Sequence, residues 1–340
     1  MTFRALRKGG ADFLVLPKDA SCAARAIDLY PAQTSTARVA RRLLRIALAC
    51  GIPLPLESET IRTDIASAFN EFLMRLAGTR KFPQIAILCG NPRTVGQRFI
   101  VLIFDGNGQP SRIVKAGLNE EARALIGREI TFLKNVPAEK QAIPRLCDEL
   151  EASGTKALAL DFVEGDSPRD AQPRVSLLTS WLHKDSTIPL TSLPVWKLVA
   201  ASCGSHPLLG RISAALAAQP ARAAIYHGDF APWNIKVTPD GTWTVLDWER
   251  GEITGPPGWD WFHYVIQTGI LVGRLGTSQL ADRVEETISS PEFTKYAAEA
   301  RISGIKRELL LGYLLYCVEI LKPTDSVEAT RRLLEALQTR

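Results

Sequence analysis

The stretch Tyr226-His227-Gly228-Asp229-Phe230-Ala231-Pro232-Trp233-Asn234-Ile235, followed by Val245-Leu246-Asp247-Trp248-Glu249, decides the fold of this chain. Between the two, residues 235–237 predict a strand, residues 238–241 a turn and residues 243–246 a returning strand. Because a hairpin brings its two ends together, we expect Asn234 and Asp247 to lie side by side. Their side-chain oxygens are ligands that a hard divalent cation prefers.

The spacing of the acidic and amide side chains is typical of enzymes that transfer phosphoryl groups in the manner of kinases. His-Gly-Asp-x-x-x-x-Asn followed by Asp-Trp-Glu resembles the motifs of the aminoglycoside phosphotransferase and choline kinase family, relatives of the protein kinases. The resemblance implies that Asp229 is catalytic and accepts the proton of an acceptor hydroxyl. It also implies that Asn234 and Asp247 bind Mg²⁺, which bridges the phosphates of ATP.

The resemblance implies an α+β, bilobal protein-kinase-like fold with a small antiparallel-sheet N-lobe and a mainly helical C-lobe. We expect the N-lobe at residues 85–163 and the C-lobe at residues 164–340. Residues 1–84 precede both as a small, mostly helical and basic N-terminal extension. The motifs cover about residues 85–265, and the later helices match the family only by type.

The segment after residue 84 predicts strands that alternate with a glycine-containing loop and a tight turn. Gly90 and Gly96 border the loop, where backbone amides are placed to approach phosphate oxygens, although a two-glycine hairpin loop explains the same pattern. Lys115 ends the third strand, and a helix over about residues 120–134 carries Glu129. In the related kinases a strand Lys paired with a helix Glu holds the nucleotide phosphates. Glu121 is the rival partner, and Glu129 is favoured because Leu133 follows it by four residues.

Two further segments match the family at single positions. Residues 160–163 resemble the strand whose backbone binds adenine, which assigns Leu160 and Phe162 to the nucleotide site. Asp260 matches the Asp that opens a helix and braces the catalytic loop, and a helix N-terminus suits an Asp. His227 is assigned to orienting that loop. No motif surrounds the remaining histidines, so no chemistry is assigned to His183, His206 and His263.

Composition narrows the class of protein further. The six scattered Cys residues form no Cys-x-x-Cys pair, which argues against a zinc site or a disulfide framework and favours a reducing cytoplasm. Met1–Asp12 lacks the apolar core of a signal peptide. The most apolar run, residues 309–321, is too short to cross a bilayer and contains Glu319. No nucleic-acid partner is expected.

The N-terminal extension contains a predicted basic helix. Residues 1–50 hold nine Lys or Arg against three Asp or Glu. On the predicted helix at residues 36–50, four arginines share one face, and Val39, Leu43, Ile46 and Cys50 occupy the opposite side; the arginines are Arg38, Arg41, Arg42 and Arg45. Either the arginine face is solvated while the helix packs through its apolar side, or it contacts an anionic surface or partner.

The acceptor stays open between several small molecules with a hydroxyl group. Sugars, saccharide intermediates, amino alcohols and aminoglycoside-like compounds are the candidates, and the balanced charge of residues 164–225 favours a neutral or anionic one. A choline-like acceptor requires an aromatic cage, for which Trp233, Trp259, Trp261 and Tyr264 are candidates, although core packing explains them equally. One alternative is a pseudokinase or nucleotide-binding regulatory module that uses the basic extension as its partner surface. A protein kinase is disfavoured because Asp-Phe-Gly and Ala-Pro-Glu motifs are missing from the sequence.

Overall fold

The protein consists of two compact units. The computed structural model describes residues 2–8, 11–30, 35–52, 57–60, 67–90, 96–168 and 175–339. The sheet unit comprises Met1–Lys134 and Pro144–Glu164, and the helical unit comprises Asn135–Ile143 and Gly165–Arg340. The predicted fold class is confirmed: α+β, with one antiparallel-sheet unit and one mainly helical unit.

The sheet unit is built on eight strands in the order β3-β1-β2-β4-β5-β6-β8-β7, with every neighbouring pair antiparallel. Its elements are β1 (Thr2–Lys8), β2 (Ala11–Leu16), α1 (Ala20–Ala26), α2 (Ser35–Ala49), β3 (Glu57–Thr60), α3 (Ala68–Leu76), β4 (Ile85–Cys89), β5 (Arg98–Phe104), β6 (Pro110–Gly117), α4 (Glu120–Asn135), β7 (Leu146–Ala152) and β8 (Thr155–Asp161). The α4 helix ends at the boundary of the unit.

Successive side chains of a strand point to opposite faces of the sheet, and each face carries one apolar cluster. In β5, Val101 and Ile103 belong to a cluster that includes Phe72 of α3. Leu102 and Phe104 belong to a second cluster with residues of α1 and α2. Both faces of the sheet are therefore covered by helices.

The N-terminal extension joins this sheet through its backbone. The extension, predicted as mostly helical, also contributes the three strands β1, β2 and β3 to the sheet. In the extension, α3 begins at Ala68, where the Ser67 hydroxyl accepts a hydrogen bond from the Asn70 N–H. The three-part division of the chain stays a prediction, although strands from residues 1–84 and 85–163 share one sheet.

The packing of α2 differs from the prediction. The prediction that α2 packs through the side with Val39, Leu43 and Ile46 is wrong, because these residues are 58%, 63% and 49% exposed. Cys50, assigned to the same side, is exposed as well. Leu48 is buried instead, and Leu44 packs against the same cluster. The side of α2 that carries these two leucines faces the sheet.

The helical unit contains two short strand pairs and eight α-helices among the described residues. The pairs are β9–β12 and β10–β11. Its elements are α5 (Val175–Ser180), α6 (Pro194–Ser202), α7 (Leu209–Ala218), β9 (Ala224–Tyr226), β10 (Ile235–Val237), β11 (Trp243–Val245), β12 (Glu252–Gly255), α8 (Trp259–Gln267), α9 (Thr277–Ser289), α10 (Pro291–Ala300), α11 (Lys306–Tyr316) and α12 (Val327–Thr339).

The core of the helical unit is formed by α8 and α11. Every residue of α8 is buried, and α11 is buried from Leu309 to Leu315. The apolar run at residues 309–321 therefore begins in a buried helix. Along the described part of the chain, no helix combines the length and the hydropathy that crossing a membrane requires.

Candidate active site

The loop that carries Asp229 follows β9, and its glycine allows a close backbone contact. Gly228 has φ +79°, a left-handed conformation that residues with a side chain rarely adopt. A Cβ added to Gly228 would lie 2.8 Å from the Cβ of Arg250. Gly228 therefore fits the loop where a larger residue would strain it.

Asp260, in the first turn of α8, holds the start of this loop. Its Oδ2 accepts a hydrogen bond from the His227 N–H at 2.8 Å, and its Oδ1 accepts one from the Gly228 N–H at 3.1 Å. Burial raises the pKa of the Asp260 carboxyl to about 7, and these two hydrogen bonds act in the opposite direction. The loop is thus tied to the most deeply buried helix of the unit.

His227 supports the loop from inside. Its Nδ1 accepts a hydrogen bond from the Asp229 N–H at 3.1 Å, so its Nε2 carries the proton and donates to the Leu246 carbonyl at 2.9 Å. Burial lowers the pKa of His227 to about 4, which keeps the ring neutral. The ring of Trp248 packs against it at a centroid distance of 4.5 Å. A neutral, fully buried ring suits an orienting role and not proton transfer.

Both carboxylate oxygens of Asp229 accept hydrogen bonds. His263 Nε2 lies 3.0 Å from Oδ1, and the Asn234 amide Nδ2 donates to Oδ2 at 2.7 Å. Burial alone would raise the pKa of Asp229, but the hydrogen bond from His263 and the charge of Arg250 hold it below its ordinary value. The Asp229 side chain keeps 31% of its surface exposed. It is an ionised and accessible carboxylate.

His263 is a site residue that the sequence analysis missed. It is 2% exposed, and its Nδ1 lies 2.9 Å from the Tyr313 hydroxyl of α11. Because the hydroxyl can donate to Nδ1, Nε2–H is left to donate to Asp229. His263 follows Asp260 by three residues and so shares its helix face. That spacing was the one available signal in the sequence.

The β10–β11 hairpin predicted from the sequence is present. Ile235 pairs with Val245, and the Leu246 N–H donates to the Asn234 carbonyl at 2.7 Å. Asn234 and Asp247 therefore stand at the same open end of the hairpin. Asp247 has φ +72°, a left-handed conformation that is uncommon for residues other than glycine, although Asp adopts it more readily than most.

The donor set at the hairpin end fits a Mg²⁺ ion. The Asn234 amide nitrogen donates to Asp229 Oδ2 and to the Asp229 carbonyl, which leaves its Oδ1 oxygen available as a ligand. Asp247 adds a carboxylate. Within the described ranges, no group of three or more His, Cys, Asp or Glu is placed to hold a metal ion. One carboxylate and one amide suit Mg²⁺, which takes its remaining ligands from phosphates and water.

In the sheet unit, Lys115 of β6 and Glu129 of α4 form a buried ion pair. Lys115 Nζ lies 2.8 Å from Oε1 and 2.9 Å from Oε2 of Glu129. The two side chains are 8% and 0% exposed. Glu121, the rival partner, is exposed on the same helix. The long arm of Lys115 is therefore fixed in one position.

The other predicted nucleotide residues also lie in the sheet unit. Gly90 donates its N–H to the Arg98 carbonyl, and an added Cβ would lie 2.5 Å from that oxygen. Gly96 closes the loop, whose residues 91–95 lie outside the described ranges. Leu160 is buried within β8. The Phe162 N–H donates to the Ser111 carbonyl at 3.1 Å, so an adenine contact at Phe162 has to use its carbonyl oxygen.

Of the four aromatic residues considered for a cage, three belong to the core and Trp233 is half-buried. Trp259, Trp261 and Tyr264 are at most 1% exposed. Trp259 and Tyr313 pack edge to face at 5.8 Å. A quaternary ammonium group cannot reach these rings, so they provide no choline site.

Comparison with known proteins gave matches among solved structures. No family model and no curated protein matches the chain. The first structure is a thermostable mutant of aminoglycoside phosphotransferase APH(4)-Ia in a ternary complex with AMP-PNP and hygromycin B, at 14% identity and a TM-score of 0.48, with 80% of this chain and 98% of that chain covered.

Two further structures show the same similarity. Aminoglycoside phosphotransferase APH(3'')-Id from Streptomyces rimosus, in complex with ADP and streptomycin, has 18% identity, a TM-score of 0.42, and coverage of 75% and 97%. Spectinomycin phosphotransferase APH(9)-Ia, in complex with ADP and spectinomycin, has 11% identity, a TM-score of 0.41, and coverage of 82% and 95%. The chain is structurally similar to aminoglycoside phosphotransferases. At these identities the similarity assigns no activity or substrate to this chain.

Proposed function

We propose that this protein transfers the γ-phosphoryl group of ATP to a hydroxyl group of a small molecule. The observation that carries the proposal is the Asp229 carboxylate, ionised and accessible, held between His263 and Asn234 at 3.0 and 2.7 Å. The same Asn234 stands beside Asp247 at the end of the hairpin. A proton acceptor next to a pair of oxygen ligands is what phosphoryl transfer to an alcohol requires.

Asp229 would accept a hydrogen bond from the acceptor hydroxyl and direct its oxygen at the γ-phosphorus. As the new O–P bond forms, the bond between the γ-phosphorus and the bridging oxygen breaks, ADP leaves with that electron pair, and the hydroxyl proton passes to Asp229. Its lowered pKa makes Asp229 a weak base. Its main contributions are therefore orientation and late acceptance of the proton.

Asn234 Oδ1 and the Asp247 carboxylate would hold Mg²⁺. Bound Mg²⁺ neutralises negative charge on the phosphate oxygens. The hydrogen bonds that fix the Asn234 amide nitrogen also fix which of its atoms faces a cation. Asp229 would thereby be linked to the metal ligand without being a ligand itself.

Lys115 would contact the nucleotide phosphates, held in place by Glu129. The other residues predicted to bind the nucleotide are Gly90 and Gly96 at the phosphate loop and Leu160 and Phe162 at the adenine. An ammonium group fixed by two hydrogen bonds to one carboxylate loses little freedom when an anion binds. This pre-organisation supports a phosphate-binding role.

His263 would act as a positioning residue. Its Nε2–H orients the Asp229 carboxylate, and the Tyr313 hydroxyl selects the tautomer that can donate. A proton on Nε2 prevents His263 from removing a proton from Asp229. Its contribution is therefore geometric and electrostatic.

The acceptor that suits this site is neutral or anionic. Arg250 is exposed, its Cβ adjoins Gly228, and its charge contributes to the low pKa of Asp229. A positive charge beside the base disfavours a polycationic aminoglycoside and suits a sugar or a saccharide intermediate. Core packing of Trp259, Trp261 and Tyr264 removes a choline-like acceptor that depends on those rings.

A thermal-shift screen tests this proposal. The screen combines Mg²⁺-ATP with sugars, amino alcohols and aminoglycosides. Mg²⁺-ATP should raise the melting temperature of the protein, and the true acceptor should raise it further, because each ligand binds the folded state. Hits are then assayed for ADP release. No stabilisation by ATP with Mg²⁺ would contradict the proposal.

A further inference from the structure

The solvent face of α2 is apolar along one edge and basic along the other. Val39, Leu43 and Ile46 are 58%, 63% and 49% exposed. Successive helix positions turn by 100°, so these three form one strip, and Arg38 and Arg42 lie beside it. Both arginines are exposed. Ile52, just beyond the helix, is 51% exposed and extends the apolar area.

The opposite side of α2 packs against the rest of the sheet unit. Leu48 is 2% exposed in the cluster that covers one face of the sheet. Arg45 forms an ion pair with Asp28 at 3.1 Å, and Arg41 lies 3.9 Å from the same carboxylate. Arg41 also donates to the Tyr30 carbonyl. These contacts hold the helix in its orientation and keep the apolar strip turned outward.

The charged side chains of α2 all have one sign. The α2 sequence from Ser35 to Ala49 contains no Asp or Glu. The three carboxylates of residues 1–50 already have local partners, since Asp12 pairs with Arg7, Asp19 caps α1, and Asp28 pairs with Arg45. A partner of negative charge complements this surface.

We propose that α2 docks on an anionic phospholipid surface, with Val39, Leu43 and Ile46 among the acyl chains and Arg38 and Arg42 at the lipid phosphates. A helix lying at the interface needs both an apolar face and basic residues beside it. Arginine stems pass along apolar surface while the guanidinium reaches the phosphate layer. Each basic residue near such a surface strengthens binding further.

Two other occupants fit this surface less well. A second copy of this chain docked face to face would bring the arginines of both copies together, which like-charge repulsion opposes. An acidic protein would satisfy the arginines, but charge alone gives the exposed aliphatic strip no partner. The lipid surface satisfies both halves of the face.

Vesicle flotation of the full-length protein tests this proposal without reference to any enzymatic activity. At low salt we expect binding to vesicles of phosphatidylcholine with phosphatidylglycerol, and at least about tenfold weaker binding to phosphatidylcholine alone or at high salt. Leu43→Asn with Ile46→Asn, and separately Arg38→Gln with Arg42→Gln, should each weaken binding by roughly tenfold or more.

Leu118→Asn is the matched control, because Leu118 is 56% exposed elsewhere in the sheet unit and its loss should leave binding unchanged. Leu44 and Leu48 are untouched in every variant, so the helix should stay packed, as circular dichroism and the melting temperature will verify. The proposal is overturned if the parent fails to float with anionic vesicles at low salt. It is also overturned if the Leu43 and Ile46 variant binds like the parent, which indicates a purely electrostatic contact, or if the face instead mediates dimers in solution.

Discussion

The imidazole of His263 lies 3.0 Å from the carboxylate of Asp229, and the Tyr313 hydroxyl lies 2.9 Å from the other ring nitrogen. These contacts connect the loop that carries Asp229 to α8 and α11. They give Asp229 a second hydrogen-bond donor beyond Asn234. The orientation of the proposed base is therefore set by a helix pair that is remote in sequence.

Replacing His263 should slow turnover without weakening nucleotide binding. We expect His263→Leu to lower kcat by roughly 10-fold to 100-fold, because the Asp229 carboxylate loses one orienting donor. His263→Gln should recover part of the rate, since its side-chain amide can donate from a similar position. Tyr313→Phe should show a smaller loss, because the ring tautomer is no longer selected. Calorimetry with Mg²⁺-ATP provides the control, and a loss of ATP affinity equal to the loss of kcat would contradict a positioning role.

Asp260 should make the stability of the protein depend on pH. Burial raises its pKa from 3.8 to about 7, so between these values the folded state holds a proton that the unfolded state has lost. The free energy of unfolding from this residue therefore falls as the pH rises through that interval and levels off above it. Urea unfolding of the parent and of Asp260→Asn at several pH values isolates the contribution of Asp260 to the free energy of unfolding. A parent-minus-variant difference that stays flat across this interval would show that Asp260 is already ionised in the folded protein and would contradict the raised pKa.

Variants of the Lys115–Glu129 ion pair should distinguish its effect on stability from its effect on nucleotide binding. Lys115→Met leaves the Glu129 charge buried without its partner and should cost about 3–5 kcal/mol of stability. Lys115→Met combined with Glu129→Leu should regain most of that stability, because a buried pair replaced by apolar side chains is often neutral. Denaturant unfolding measures both variants. The double variant should still bind Mg²⁺-ATP poorly, and parent-like affinity would remove Lys115 from the phosphate site.

Asp247 should control the metal dependence of ATP binding. Asp247→Asn is the suitable change, because Asn tolerates the left-handed conformation at φ +72° while the negative charge is lost. We expect unchanged stability, weaker binding of ATP in the presence of Mg²⁺, and unchanged binding in its absence. Calorimetry with and without Mg²⁺ makes the comparison. Asp247→Ala should show the same loss of ATP affinity with some added strain.

Much of the fold could be predicted from local patterns. The C-terminal helices follow from apolar periodicity, and the β10–β11 hairpin follows from two apolar runs around Pro239-Asp240-Gly241. The strand β3, Glu57-Ser58-Glu59-Thr60, has no apolar alternation and forms by backbone pairing with β1. Its existence depends on a partner strand more than fifty residues away, which no local pattern encodes.

The site could be predicted only as far as its motifs extend. Asp229, Asn234 and Asp247 lie within one short stretch, so their spacing shows their relation. His263 reaches Asp229 across 34 positions, and its partner Tyr313 follows 50 positions later. The orientation of α2 also depends on tertiary contacts. The sequence pattern allows either face of this helix to pack, and the burial of Leu48 and the ion pairs with Asp28 determine which face does.

The account depends most on Asp229 as the group that receives the acceptor proton. Asp229→Asn keeps the shape of the side chain and removes its charge, so Mg²⁺-ATP should bind as tightly as in the parent, with ground-state contacts supplied by Lys115, Asn234 and Asp247. Turnover, measured as ADP release with an acceptor from the screen or with water alone, should fall by roughly 100-fold or more. An active parent with an equally active Asp229→Asn variant would contradict the mechanism, whereas a parent that binds ATP but turns over no acceptor would identify a pseudokinase.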